Sequence, residues 1–69
     1  MNIIFSYHAR KRMQQRGITL LEIAHIFEFP TEVRNSHDGT KEAYGEIYNR
    51  TIKVVFIQRK NYIKIVSVM

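Results

Sequence analysis

The sequence predicts an α+β fold, with two N-terminal helices packed on a four-stranded antiparallel meander. Two segments with helix caps come first, and four runs rich in β-branched and aromatic residues follow, separated by turn residues. The apolar run Asn2–Phe5, which precedes the helices, is interpreted as a short strand or an extended arm. With 69 residues the chain is expected to form a single domain, residues 1–69, whose functional site lies at the surface or in a shallow groove.

Capping residues in the sequence indicate both helices. Ser6 is a favourable N-cap for Tyr7–Arg16, and Gly17 follows at the position where a left-handed residue closes a helix. Thr19 and Glu22 have the spacing of a capping box for the second helix. The apolar face of that helix follows the spacing i, i+3, i+4 and i+7 and is formed by Leu20, Ile23, Ala24 and Phe27.

The predicted strands occupy residues 31–36, 41–48, 51–58 and 62–69. His37, Asp38 and Gly39 are predicted to form the turn between the first two strands, with the Asp-Gly signal of a tight hairpin, and Asn49 and Arg50 the next turn. Gly45 lies inside a strand, which indicates either a bulge or a close approach of another element.

The charge balance favours a polyanionic partner. Eleven Lys and Arg against six Asp and Glu give a net charge of +5 and a pI near 9.9. Nucleic acid is the commonest such partner, and the alternative is that the charge only keeps a small protein soluble. The absence of cysteine excludes disulfides and thiolate metal sites, and three histidines scattered in sequence do not indicate a zinc site. No cofactor is expected.

The opening residues lack the apolar run of a signal peptide, and no stretch approaches the roughly 20 apolar residues that span a bilayer. We therefore expect a cytoplasmic protein. Because so short a chain buries a small core, a homodimer or a complex with a partner protein is also expected.

The first predicted helix carries the candidate catalytic residues. His8, Arg12 and Arg16 are spaced i, i+4 and i+8 and form one stripe, which Arg10 and Lys11 flank as candidate nucleic-acid-binding residues. Arg binds phosphate through a planar fork of donors, and an imidazole exchanges protons near neutral pH. RNA carries its own nucleophile, the 2′-hydroxyl. Its cleavage therefore requires a base, an acid and positive charge at the phosphate, and no metal.

The predicted sheet supplies further candidates. Tyr62 is the residue expected to assist catalysis from the sheet, with Lys64 as its alternative. Lys53 and Lys64 occupy matching polar positions of the last two strands and are predicted to extend the nucleic-acid-binding surface. Three strand tyrosines either stack on bases or are ordinary strand residues, namely Tyr44, Tyr48 and Tyr62.

A structural interpretation of the stripe stands beside the catalytic one. Charged side chains on a short helix most often form a solvated face. His8, near the start of the helix, can instead hydrogen-bond a strand carbonyl and brace the helix against the sheet.

Residues 8–18, HARKRMQQRGI, resemble the opening of a bacterial family of small uncharacterised domains, H-A-x-x-R-M-x-x-R-G-I. That family continues with a capped helix and a proline and ends in a strand rich in valine and isoleucine. The layout is more distantly similar to the BrnT ribonuclease toxins and to the RelE/ParE-like toxins of toxin–antitoxin pairs. BrnT-like chains link two helices by a K-H-G-I/V turn, and Arg16 stands here at the position of that histidine. The resemblance implies a compact helix-plus-sheet ribonuclease fold and an antitoxin partner.

Three hypotheses follow from the sequence. The first is a toxin-like, metal-independent endoribonuclease or a degenerate relative, with His8 as acid or base, Arg12 and Arg16 clamping the phosphate, and Tyr62 or Lys64 assisting. The second is a non-catalytic RNA- or DNA-binding module that uses the same stripe. The third is a protein-interaction domain that binds a partner through a sheet edge or the tyrosine-bearing face.

Overall fold

Five strands form one mixed sheet, and both helices cover the same face of it. The computed structural model describes residues 2–69. The helices are α1 (Tyr7–Arg16) and α2 (Leu20–Glu28). The strands are β1 (Asn2–Phe5), β2 (Glu32–Asn35), β3 (Lys41–Ile47), β4 (Arg50–Gln58) and β5 (Tyr62–Val68). The α+β class and both predicted helices are confirmed.

The number and direction of the strands differ from the prediction. Strands β2 to β5 form the expected antiparallel meander, but β1 lies beside β5 and runs parallel to it, so the order is β1-β5-β4-β3-β2. Ile3 lies opposite Ile63, which is 60 residues further along the chain. The short strand that the sequence allows at Asn2–Phe5 is present. Its parallel pairing with β5 is not predicted, because a four-residue apolar run carries no local signal for so distant a partner.

Ser6 fixes the start of α1 to the sheet. Its backbone N–H donates to the carbonyl of Ile65 at 3.0 Å, and its hydroxyl donates to the carbonyl of Val66 at 2.8 Å. The hydroxyl oxygen also accepts from the N–H of Ala9 at 3.0 Å, which makes Ser6 the predicted N-cap. Val66 is the extra residue where the register between β4 and β5 shifts. The bulge therefore provides a carbonyl to which α1 is attached.

α2 packs closely on β3. Thr19 and Glu22 form the predicted capping box, with distances of 2.7 Å from the Thr19 N–H to Oε1 of Glu22 and 3.2 Å from the Glu22 N–H to Oγ1 of Thr19. Ile26 lies over Gly45, where an added Cβ would come within 2.8 Å of Cγ1 of Ile26. A close approach, one of the two predicted roles, therefore requires glycine at this position.

One hairpin turn differs from its prediction by one residue, and the other lies where it is predicted. Tyr48 and Asn49, with φ of 48° and 66°, form the β3–β4 turn, and Ile47 pairs directly with Arg50. Positive φ at both central residues matches the twist of the flanking strands. The predicted turn at Asn49 and Arg50 is one residue too late because a tyrosine at positive φ is rare. The predicted turn of residues 37–39, which contains the Asp-Gly signal, is confirmed as a three-residue loop with Gly39 at φ 85°.

The core between the helices and the sheet is mainly aliphatic. Its buried residues are Ala9, Ile18, Ile23, Ile26, Ala43, Ile47, Ile52, Val54, Phe56, Ile65 and Val68. Phe27 of α2 packs edge-on against the ring of Phe56, with the ring centroids 4.9 Å apart. Alternate strand residues such as Glu42, Tyr44 and Lys53 project from the other side of the sheet. No helix in residues 2–69 covers this side, which we call the open face. No helix in residues 2–69 has the length and apolar character needed to cross a membrane.

Candidate nucleic-acid interface

Charges of opposite sign are segregated along the chain. Residues 1–21 contain four Lys or Arg, residues 47–69 contain five, and neither segment contains an acidic residue. All six Asp and Glu lie in residues 22–46, together with two basic residues. In the fold α1 packs on β5 and α2 packs on β3, and the basic and acidic segments meet where β4 pairs with β3, at the ion pair of Lys53 and Glu42. The positive charge without a carboxylate close by is therefore concentrated around α1 and β5.

Four side chains on the exposed side of α1 form what we call the α1 patch: His8, Lys11, Arg12 and Gln15. Together they line a shallow pocket of about 330 Å³. His8, Lys11 and Gln15 are exposed, and Arg12 is half-buried. The structure therefore brings an imidazole, an ammonium and a guanidinium to one surface pocket.

Helix geometry explains why these side chains share a surface. Ala9 is fully buried, and Met13, four residues later, packs against the core. His8 and Arg12 each precede one of these residues, so they lie in a row on the flank of the buried stripe. Two of the three predicted stripe residues are thus brought together by the packing of α1 on the sheet.

The cations of the α1 patch have no acidic neighbour on their own helix, because α1 contains no Asp or Glu. Within residues 2–69, ion pairs join Arg34 to Glu32 and Lys53 to Glu42, and all four of these residues belong to strands. Lys11 and Arg12 are therefore not neutralised by the described part of the chain. Such cations are the ones that an external phosphate can neutralise.

His8 does not serve as the brace that the sequence allows for. Its side chain is exposed, and Ser6 makes the hydrogen bonds that attach the start of α1 to β5. An exposed imidazole beside cations remains accessible to a ligand.

Arg16 lies beyond the α1 patch, in the last turn of α1. It is exposed and does not line the pocket, and its backbone carbonyl accepts a hydrogen bond from Nη1 of Arg50 at 2.7 Å. Gly17, at φ 65°, closes the helix as predicted. Arg16 and Arg50 therefore extend the positive charge from the patch toward the start of β4.

Two predicted residues of β5 lie on the opposite side of the sheet. Ile65 is buried in the core and Ile63 packs against it, so the alternate residues Tyr62 and Lys64 project from the open face. The sheet lies between them and α1. One phosphate group cannot contact the α1 patch and these two side chains at once, so the structure divides the predicted site residues into two sets.

The open face carries a network of paired charges, called the open-face network: Glu32, Arg34, Glu42, Tyr44 and Lys53. The Tyr44 hydroxyl donates to Oε1 of Glu42 at 3.0 Å, and Nζ of Lys53 lies 3.8 Å from Oε2 of Glu42. The guanidinium of Arg34, which is hydrogen-bonded to Glu32, lies 5.3 Å from the centroid of the Tyr44 ring. Partial burial and the hydrogen bond to Glu42 raise the pKa of Tyr44. Because of its contact with Glu42, Lys53 is already paired with a carboxylate.

Tyr7 is a residue that sequence reasoning did not single out. It is 79% exposed, and its ring centroid lies 6.0 Å from Nζ of Lys11. Tyr7 and Lys11 have the same i, i+4 spacing that defines the stripe, and that spacing was the available signal. Tyr7, Arg10, Lys11 and Gln14 line a second shallow pocket, of about 300 Å³, which shares Lys11 with the α1 patch.

A family model described as Domain of unknown function (DUF4258) matches residues 5–69. The chain belongs to the DUF4258 family. No curated protein and no solved structure gives a significant match. The matched part of this DUF4258 chain includes both helices and strands β2 to β5, and it therefore contains the whole α1 patch. Membership of DUF4258 assigns no activity, so the function has to be argued from the site.

Proposed function

We propose that this DUF4258 domain binds RNA through the α1 patch, with phosphate as the principal contact. The observation that carries the proposal is that Lys11, Arg12 and His8 line one exposed pocket on a helix without acidic residues. A guanidinium binds phosphate through two parallel hydrogen bonds, and an ammonium adds a point charge. RNA bound at α1 would meet no carboxylate on that helix, since the six acidic residues lie in residues 22–46.

His8 favours RNA over DNA as the ligand. Its imidazole lies in the same pocket as the cations and can donate a hydrogen bond to a 2′-hydroxyl or accept one from it. DNA lacks that hydroxyl, which is the group by which proteins distinguish the two nucleic acids. The preference for RNA over DNA of the same sequence is therefore expected to depend on His8.

Binding of an RNA oligonucleotide, followed by fluorescence anisotropy at several salt concentrations, tests the proposal. Arg12→Gln is expected to weaken binding and to reduce the slope of log K against log salt by about 0.7, the value for one single-strand phosphate contact. The matched control Arg34→Gln removes the same charge from the open-face network and should leave the slope unchanged. If both substitutions reduce the slope equally, binding follows net charge alone and the assigned site is wrong.

A second candidate function is RNA cleavage at the α1 patch by a toxin-like, metal-independent endoribonuclease. The position of His8 beside Arg12 in one pocket favours it, and the resemblance to BrnT and to RelE/ParE-like toxins points to the same class. The 2′-oxygen would attack the adjacent phosphorus while the bond from phosphorus to the 5′-oxygen breaks, leaving a 2′,3′-cyclic phosphate. His8 would take the proton of the 2′-hydroxyl, a water molecule would protonate the 5′-oxygen, and Lys11 and Arg12 would stabilise the charged transition state.

Tyr62 and Lys64 have no role in this reaction because they project from the open face. An antitoxin partner for such an enzyme would carry an acidic segment that neutralises the α1 patch in place of RNA. Competition between an acidic partner protein and RNA is therefore expected at this surface.

Cleavage of a labelled RNA in the presence of a chelator separates the two candidates. His8→Ala is expected to abolish cleavage, since an acid or base acts mainly on the transition state. RNA affinity should fall by no more than about fivefold, the loss of one hydrogen bond to the 2′-hydroxyl. Arg12→Gln should weaken both binding and cleavage. If the wild-type protein binds RNA without cleaving it, or if His8→Ala cleaves as fast as the wild type, the nuclease candidate is wrong.

A further inference from the structure

We infer that Tyr7 is a base-stacking site and that the RNA bound at the α1 patch is single-stranded. The inference rests on the proposed RNA binding and adds to it the form of the RNA and the residue that selects this form.

The position of Tyr7 suits a stacking platform. It is the first residue of α1, directly after Ser6, whose hydrogen bonds to Ile65 and Val66 hold this end of the helix on the sheet. With 79% of Tyr7 exposed, a large aromatic ring projects into solvent from a backbone that is held in place. A ring presented in this way needs little reorganisation to accept a flat partner.

Lys11 connects the tyrosine to the phosphate site. Its ammonium lies 6.0 Å from the Tyr7 ring centroid, and Lys11 lines both shallow pockets of α1. Side chains at i and i+4 on a helix are separated by about 5–6 Å at Cβ, so both pockets lie within reach of one nucleotide and its neighbour. A base on Tyr7 thus places the adjoining phosphate next to Lys11 and Arg12.

The pocket around Tyr7 also offers groups that can bond a base edge. Arg10 and Gln14 line it together with Tyr7 and Lys11. The guanidinium supplies donors, and the amide supplies both a donor and an acceptor. The pocket therefore combines an aromatic surface with polar groups, which is the combination by which proteins hold unpaired bases.

Stacking on Tyr7 requires an unpaired base, and the bound RNA is therefore expected to be single-stranded. In an A-form duplex the bases are stacked on one another and paired, so no base face is free to lie on a tyrosine. An unpaired base presents its whole face, and its stacking on an aromatic side chain tolerates all four bases. The site is therefore expected to select single strands over duplexes with little sequence preference.

Three oligonucleotides of equal length test the inference: a single-stranded RNA, the same RNA in a duplex, and a strand of the same backbone without bases. Tyr7→Leu is expected to weaken binding of the single strand by roughly 5- to 100-fold, the range for loss of one stacked base. Binding of the duplex and of the strand without bases should change by less than about twofold, because phosphate contacts remain. Tyr7→Phe keeps the aromatic face and should retain most of the affinity.

The outcomes separate this inference from the proposed function. If Tyr7→Leu binds the single strand as tightly as the wild type, or weakens all three ligands equally, Tyr7 is not a stacking site. Arg12→Gln, by contrast, is expected to weaken all three, and failure of that effect overturns phosphate binding itself. A thermal unfolding curve of Tyr7→Leu that matches the wild type shows that the exposed substitution leaves the fold intact.

Discussion

Cations and tyrosines occur together on two surfaces of this domain, but acidic residues occur on only one of them. On the open face, Arg34 pairs with Glu32, and Lys53 and Tyr44 both contact Glu42. On α1, Tyr7, Lys11 and the other basic side chains have no acidic residue on the same helix. The two surfaces contain similar residue types and differ in whether the positive charge is already neutralised.

This difference shows that the number of basic residues does not locate a polyanion site. A surface ion pair contributes only about 0–1 kcal/mol to stability, yet it cancels one charge in the potential that a phosphate meets. A phosphate near Lys53 would also be repelled by Glu42, 3.8 Å from that lysine. The α1 patch presents no such repulsion from its own helix, and this is why we assign RNA binding to α1 although both surfaces carry cations.

The largest expected effect on RNA affinity comes from removing two positive charges from α1, compared with removing two from the open face. The double variant Lys11→Gln, Arg12→Gln is expected to weaken RNA binding by roughly 10- to 100-fold at about 0.05 M salt, because two phosphate contacts are lost. The double variant Arg34→Gln, Lys53→Gln has the same net charge. It should weaken RNA binding by less than about threefold at that salt, because it changes only the long-range electrostatic potential at α1. Anisotropy titrations of the two variants measure the ratio of their dissociation constants for RNA.

If the two double variants lose the same RNA affinity, the two surfaces do not differ in RNA binding. Binding then follows the net charge of the protein, and the assignment to α1 is wrong. A larger loss in the open-face variant would move the binding site to the sheet. Thermal unfolding of both variants serves as the control for folding.

The next effect concerns the attachment of α1 to the sheet. Ser6→Ala removes the N-cap bond to Ala9 and the bond to the Val66 carbonyl, and is expected to lower the free energy of unfolding by about 1–2 kcal/mol. Ser67→Ala is a matched control, because the Ser67 hydroxyl is buried without a hydrogen-bond partner among residues 2–69. Removal of this hydroxyl should leave the free energy of unfolding unchanged or raise it. Urea unfolding of both variants tests this, and an equal loss in both would contradict the anchoring role of Ser6.

The smallest expected effect is a pH dependence on the open face. Because partial burial and Glu42 raise the pKa of Tyr44 above its ordinary 10.0, the folded state holds the phenolic proton more tightly than the unfolded state does. The contribution of neutral Tyr44 is fully present below about pH 10 and is lost as the pH rises through the folded-state pKa. Tyr44→Phe is therefore expected to make the decline in stability above about pH 10 less steep. Identical alkaline slopes for the wild type and the variant in urea unfolding would contradict this.

Local signals in the sequence predict most of the fold. The caps Ser6 and Thr19, the glycine after α1 and the β-rich runs act within a few residues, and each marks an element that the structure contains. The pairing of β1 with β5 joins residues 60 positions apart, and no periodicity within Asn2–Phe5 encodes it. The β3–β4 turn was misplaced by one residue because the twist of the hairpin, and not residue preference, puts Tyr48 at positive φ.

The site is predicted less completely than the fold. Helical spacing places His8 and Arg12 on one surface, because that spacing is a property of α1 alone. The grouping of Tyr62 with the helix fails, because it combines residues of a strand and a helix without regard to the face of the sheet on which the Tyr62 side chain lies. The alternation of Tyr62 and Lys64 with the apolar Ile63 and Ile65 was nevertheless visible in the sequence and indicated the opposite face.

NMR chemical-shift mapping with a single-stranded RNA oligonucleotide tests the central claim most directly, because it reports every backbone amide in one titration. We predict shift changes concentrated in α1, at residues 7–16, with Arg34, Tyr44 and Lys53 of the open-face network unchanged. Changes concentrated on the open-face network, with α1 unaffected, would contradict the assignment of RNA binding to α1.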